Sequence, residues 1–268
     1  MSIVEIEEAS DPRLDGYRGL RDQDLSRYDG TGHGLLVAEG TFVLRRLVAS
    51  GRTVRSVLLS PARARGLTAE LGGLDIPIYV APEHLVQEVS GFRFHRGALA
   101  LAERWPLPDA ATLAAGARLA LVLEGVADQE NLGSVFRSAA ALGADAVLLC
   151  PRCADPLYRR SVRVSMGHVL TLPFSRFSTW PEPLAAMRSA GTAVVALSTS
   201  PDGVPVGDLA LGAAGRVALL VGSEAEGLSA GALAEATVRA RIAMVPGADS
   251  LNLAAAAAIA LHRLGPLA

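Results

Sequence analysis

The sequence predicts a two-domain α/β protein. Short, near-continuous apolar runs alternate with stretches of helical periodicity, as expected for strands buried on both faces of a mostly parallel sheet covered by helices. A proline-bearing break, Trp105-Pro106-Leu107-Pro108-Asp109, interrupts the alternation and reads as a linker. At 268 residues, half of them apolar but only 4% aromatic, the chain can build two cores packed from small aliphatics. The expected division is an N-terminal domain over 1–108, a linker over 109–117 and a C-terminal domain over 118–268.

In the first domain, residues 10–28 are charged and glycine-punctuated and read as an arm with at most a short helix. A small α/β unit follows. Its pattern predicts helices over 39–49, 62–71 and 82–89, the last with Pro82 in its first turn, and strands over 54–59, 76–80 and 98–103. A short helix to 115 can follow the linker. The second series predicts strands over 119–123, 146–149, 169–172, 193–197, 217–221 and 241–245. Helices are expected over 133–142, 156–164, 183–190, 230–236 and 253–264.

Bulk properties narrow the function classes. No uninterrupted apolar run is long enough to span a bilayer, and the acidic start Met1-Ser2-Ile3-Val4-Glu5 is unlike a signal peptide, so a cytoplasmic protein is expected. The two cysteines form a lone Cys150-Pro151-Arg152-Cys153, short of the four ligands of a structural zinc site even with His168 in reach. Reduced structural thiols are expected, and no metal. Net charge is -2, and all 25 basic residues are Arg. They cluster at Arg45, Arg46, Arg52, Arg55, Arg63 and Arg65 and again at Arg152, Arg159, Arg160 and Arg163, so a near-neutral protein carries local patches suited to phosphate. Solvated charge, set by genome composition, is the plainer account of each.

Three polar clusters lie at the carboxyl ends of strands in the second domain, where open parallel sheets bind ligands. The first is Asn131-Leu132-Gly133-Ser134-Val135-Phe136-Arg137 at a helix start. There a guanidinium, a carboxamide and free backbone N–H groups are expected to converge and to suit a polyanion or an oxygen nucleophile. The second is Gly222-Ser223-Glu224-Ala225-Glu226-Gly227-Leu228, a strand entering a glycine turn. The third is Asp249-Ser250-Leu251-Asn252 before an alanine-rich helix. Caps and turns account for each cluster taken singly: Asn131, Ser229, Ser250 or Asn252 as N-caps, Gly222 and Gly227 as turn residues.

Taken together and in this order, they resemble the SpoU (TrmH-type) branch of the SPOUT RNA methyltransferases. Asn131, Gly133 and Arg137 match its Asn-x-Gly-x-x-x-Arg motif. Gly222, Ser223, Glu224, Gly227 and Leu228 match the second motif, and Ile242, Met244, Ser250, Leu251 and Asn252 the third, with Ala243 where the family usually has Pro. The resemblance covers roughly 119–264. The first domain, through Leu36-Val37-Ala38-Glu39-Gly40 and Phe94-His95-Arg96-Gly97, looks like the L30e-like substrate-binding domain that precedes the catalytic domain in many ribosomal RNA members.

The resemblance implies a SPOUT fold with a deep trefoil knot, an exception to the rule against threading. It further implies S-adenosyl-L-methionine as cofactor, a ribose 2'-hydroxyl as acceptor and a homodimer whose sites draw on both subunits. Gly222, Ile242, Leu251 and Met244 would hold the cofactor, with Leu197 and Ser198 on the adenine side. Arg137 would meet the target nucleotide, and Asn131, Glu224, Ser250 and Asn252 would position it. Arg45, Arg46, Arg93 and Arg96 are candidate RNA phosphate contacts, and rRNA is favoured over tRNA. A nicotinamide dehydrogenase is disfavoured because no Gly-x-Gly-x-x-Gly follows the first strand. A non-catalytic RNA-binding protein on the same fold is the rival from another class.

Overall fold

The computed structural model describes residues 2–19, 34–92, 97–210 and 215–265. They form two compact units, one of Met1–Pro106 with Leu157–Thr171, the other of Leu107–Pro156 with Leu172–Ala268.

The first unit is built on a five-stranded sheet. Its strands are β1 (Ser2–Glu5), β2 (Leu35–Glu39), β3 (Val54–Leu59), β4 (Pro77–Val80) and β5 (Ala98–Glu103), in the order β1-β4-β3-β5-β2. β1, β4 and β3 run parallel, and β5 is antiparallel to both β3 and β2. Helices α1 (Thr41–Ala49), α2 (Pro61–Leu67) and α3 (Glu83–Ser90) connect them.

The N-terminal stretch is more than an arm. Asp11 caps a 3-10 helix at Pro12–Tyr17, whose Leu14 and Tyr17 are fully buried in the core with Ile6, Leu58 and Leu99. The Tyr17 hydroxyl lies 2.8 Å from Ser56 Oγ, and burial pushes its pKa up. Charge at alternate positions hides these anchors in the sequence. Residues 20–28 of the expected arm lie outside the described residues.

The segment Leu157–Thr171 belongs to this unit although it lies within the span expected for the C-terminal domain. Its helix α6 (Arg159–Val164) carries Arg159, whose Nη1 is 2.6 Å from the buried Glu39 carboxylate and whose guanidinium stacks 3.8 Å over the Phe92 ring. Arg163 Nη1 is 3.6 Å from the same oxygen. Fixing a buried carboxylate with two guanidinia is the local reason the segment packs here. The strand expected over 169–172 is instead a 3-10 turn, His168–Leu170, since Met166 (φ 54) and Gly167 (φ 79) reverse the chain just before it.

The second unit carries seven parallel strands: β6 (Leu119–Glu124), β7 (Ala146–Leu149), β8 (Phe174–Arg176), β9 (Thr192–Leu197), β10 (Val204–Pro205), β11 (Arg216–Gly222) and β12 (Val238–Arg241). Their order is β10-β12-β9-β11-β6-β7-β8. Every residue of β6 and β7 is buried, as strands covered on both faces require. On one face α4 (Ala110–Gly116), α7 (Glu182–Ser189) and α8 (Ala230–Ala234) contribute Ala110, Ala114, Leu184, Met187 and Ala232 to a core with Val122, Leu148, Val194 and Leu220. α5 (Gln129–Ala141) and α9 (Leu253–Leu264) pack on each other, and α9 also packs against β11. The last strand differs from its expected place over 241–245. Val238–Arg241 pairs with β9 and β10, and the apolar residues that follow line a cavity.

Candidate active site

The site is built where β6, β11 and the segment after β12 end. α5 starts at Gln129, earlier than its apolar periodicity indicates. Asp128 is its N-cap and accepts the Asn131 N–H at 2.8 Å, so the carboxamide of Asn131 is released from capping. Asn131 Nδ2 donates to Glu224 Oε1 at 2.6 Å. Asn252 does cap α9, its Oδ1 accepting from the N–H groups of Ala254 at 3.0 Å and Ala255 at 3.3 Å. Its Nδ2 donates to Asn131 Oδ1 at 2.9 Å and to Glu224 Oε1 at 3.3 Å. One residue from each polar cluster therefore meets in a closed triangle.

Beside this triangle lies a cavity of about 430 Å3, within the usual range of small-molecule sites. Gly222, Ile242, Leu251, Leu197, Ser198 and Met244 all line it, as do Glu224 and Ser250. The lining joins apolar side chains to the polar edge of the Gly222–Leu228 turn. Gly222 is required there. A Cβ on it would lie 2.3 Å from the Gly227 carbonyl carbon and 2.5 Å from Leu228 N, closer than such atoms approach.

Arg137 does not converge with Asn131 as expected. Six residues along a helix amount to about 600°, which leaves the two roughly 120° apart around the axis. Arg137 is exposed, lies outside the cavity lining, and among the described residues makes no hydrogen bond or ion pair. Ser250 is likewise exposed at the cavity. In the first unit Arg45 holds Glu70 in a bidentate ion pair at 2.6 Å, and Arg46 donates to the Met166 carbonyl oxygen. Arg93 and Arg96 lie outside the described residues.

Glu124 and Trp180 were not singled out from the sequence, and Arg152 was read there only as part of a patch suited to phosphate. Glu124, at the end of β6, is 1% exposed and accepts from Trp180 Nε1 at 2.6 Å and from the Ser229 N–H at 3.0 Å. Arg152 reaches Glu226 at 3.2 Å and lies 3.8 Å from Glu124. A carboxylate ending the otherwise apolar strand Leu119-Ala120-Leu121-Val122-Leu123 was the available signal. The thiols of Cys150 and Cys153 are free and buried, with their sulfurs 3.8 Å apart. Hydrogen bonds from Cys153 and from the Gly125 and Arg152 backbone hold the Cys150 thiol well below the usual range, at about 6, and Cys153 is pushed up in turn. Among the described residues no group of three His, Cys, Asp or Glu side chains could hold a metal, and no helix is long and apolar enough to cross a membrane.

Comparison with known proteins bears on this geometry. The model of the SpoU rRNA Methylase family matches residues 118–262. An uncharacterized tRNA/rRNA methyltransferase of Mycobacterium bovis is 42% identical over 274 residues, covering 99% of this chain and 95% of its own. A 23S rRNA (adenosine(1067)-2'-O)-methyltransferase of Streptomyces laurentii is 37% identical over 145 residues, 53% of this chain and 52% of its own. Among solved structures, an AdoMet-bound rRNA methyltransferase from Sinorhizobium meliloti shares the fold, with a TM-score of 0.79 over 97% of each chain at 24% identity. Matched by that family model over more than half its length and aligned almost end to end with a relative at 42% identity, the chain belongs to the SpoU rRNA methylase family.

Proposed function

We propose that this RNA methyltransferase moves the methyl group of S-adenosyl-L-methionine to a ribose 2'-hydroxyl, with 23S rRNA favoured over tRNA as the acceptor. The observation that carries the reading is the Asn131–Glu224–Asn252 triangle at the edge of a cavity lined by Gly222, Ile242 and Leu251. The cavity fits the cofactor in size and in chemistry, with aliphatic walls for an adenine and a polar turn for the amino-acid end. Bound there, the cofactor supplies an electrophilic sulfonium methyl.

The chain's own residues then have two tasks. Glu224, Asn131, Asn252 and Ser250 orient the nucleotide, and orientation alone lowers a barrier by several kcal/mol. Arg137 binds the neighbouring phosphate and polarises the hydroxyl, since a guanidinium with a pKa above about 12 is a poor proton acceptor. Its exposure, with no hydrogen bond or ion pair among the described residues, supports a homodimer in which Arg137 serves the cavity of the other subunit. The same reading makes the first unit an L30e-like RNA-docking domain, with Arg45 and Arg46 among its contacts. It also takes the chain around the second and third motifs to be knotted.

The Streptomyces laurentii relative is named for 2'-O-methylation of 23S rRNA, which favours the ribose and the ribosome over a base or tRNA. Two measurements test the reading. Calorimetry should show tight binding of S-adenosyl-L-homocysteine and none of NAD. Ribose-methylation maps of a deletion strain and its parent should differ at one rRNA nucleotide; a difference confined to tRNA would move the assignment there.

A further inference from the structure

Glu124 lies outside all three motifs, yet both ends of the cavity's polar turn meet on it. Its backbone is the register partner of Gly222 in the β6–β11 pair, where the turn begins. Its carboxylate accepts the N–H of Ser229, where the turn ends and Ser229 Oγ caps α8 by accepting from Ala232 N at 3.2 Å. Arg152 ties the middle, donating to Glu226 at 3.2 Å while lying 3.8 Å from Glu124 Oε1. The second acceptor face is taken by Trp180 Nε1 at 2.6 Å. A carboxylate this buried is costly unless every lone pair is answered, and apolar residues stabilise such a position equally well. Stability alone therefore gives no reason for a charge here, whereas fixing the turn does.

We propose that Glu124 is a positioning residue. It clamps the segment 222–229, so that Glu224 stays against Asn131 and Asn252 and the cavity stays shaped for the S-adenosyl cofactor. The inference rests on the methyltransferase reading above. Trp180, bonded to the same carboxylate, reports the state of the clamp.

Binding of S-adenosyl-L-homocysteine by the full chain tests it. E124Q keeps the shape but presents an N–H to one of the two donors, and its affinity should fall at least tenfold with the unfolding midpoint close to wild type. Should E124Q not fold, a second pair decides. Ser229 has φ -65, which a prolyl ring can adopt, so S229P removes the N–H given to Glu124 together with the cap and sets its ring against the carboxylate, whereas S229A removes only the cap. S229P should bind at least tenfold more weakly than S229A. In W105F, Trp180 is the sole indole, because the chain has only two Trp residues. Its emission should change on ligand saturation, and that change should vanish in W105F/E124Q. Wild-type affinity in E124Q, equal affinity in S229P and S229A, or an unaltered Trp180 response without Glu124 overturns the clamp alone. A wild-type chain that binds no S-adenosyl-L-homocysteine overturns the methyltransferase reading and the clamp with it.

Discussion

Asn252 holds two jobs that substitution can separate. Its Oδ1 caps α9 through Ala254 and Ala255, and its Nδ2 reaches Asn131 and Glu224. Asn252→Ala removes both. Losing the cap costs about 1 kcal/mol, which lowers the thermal midpoint by roughly 2–4 °C at this domain size. Asn252→Ser keeps the cap, because a serine oxygen serves that position as well as an asparagine one, but its short side chain reaches neither partner. Hydrogen bonds to a charged group contribute about 1.5–3 kcal/mol. Glu224 is exposed and Asn131 half-buried, so the lower end applies, which corresponds to roughly a tenfold loss of methyl transfer. The assays are thermal unfolding by circular dichroism and transfer of labelled methyl to unmodified rRNA. Ser should restore the midpoint and leave transfer as low as Ala does. If Ser restores transfer too, Asn252 is a cap and nothing more, and the triangle has no part in the reaction.

Other expectations follow from the same geometry. Gly222→Ala drives a Cβ into the Gly227 backbone, so cofactor-analogue binding should be lost to calorimetry while the far-ultraviolet spectrum persists; retained affinity would contradict the close approach. Arg137→Ala should leave S-adenosyl-L-homocysteine affinity within about twofold and abolish transfer, and wild-type turnover would sink its assigned role. Sedimentation should give a dimer at working concentration, since a monomer leaves Arg137 without a cavity to serve. Thiolate absorbance should show one thiol titrating at about 6 and the other well above the usual range. With Cys150 depressed, its contribution to stability is present above the unfolded thiol pKa and is lost as pH falls through about 6. Cys153→Ala removes the principal donor and should move that midpoint up; an unmoved midpoint refutes the stated cause.

The strands were legible where burial on both faces makes the sequence uniformly apolar, as in Leu119–Glu124 and Ala98–Glu103. The lining of the cavity was legible for a different reason: the resemblance of the three ordered motifs to a known family pointed to Gly222, Ile242, Met244 and Leu251, and these four line it. What escaped notice depends on contacts far apart in the chain. The strand Ser2–Glu5 is half polar and becomes a strand only by pairing with Pro77–Val80. The run 169–172 looks like a strand because it is mostly apolar, but Val169 and Leu170 are instead buried on a 3-10 turn in the first unit. Ile242 and Met244 mimic strand alternation, but they lie beyond the strand and line the cavity. Arg137 was expected to project from a direction neighbouring that of Asn131, whereas about 120° around the helix separates the two. A motif records which residues are kept together, and the helix decides which way each one points.

The placement of Leu157–Thr171 sets an order of events during synthesis. N-terminal domains generally fold as they emerge from the ribosome, but here the first unit is incomplete when Pro106 emerges. Glu39 waits for Arg159, 120 residues later, and a buried carboxylate stripped of its partner costs about 3–5 kcal/mol. By then β6 and β7 have already been translated. The two units must therefore mature in overlapping time, and neither can be cut out as one uninterrupted piece of chain. Exchange of the first unit between relatives would have to carry this second segment with it.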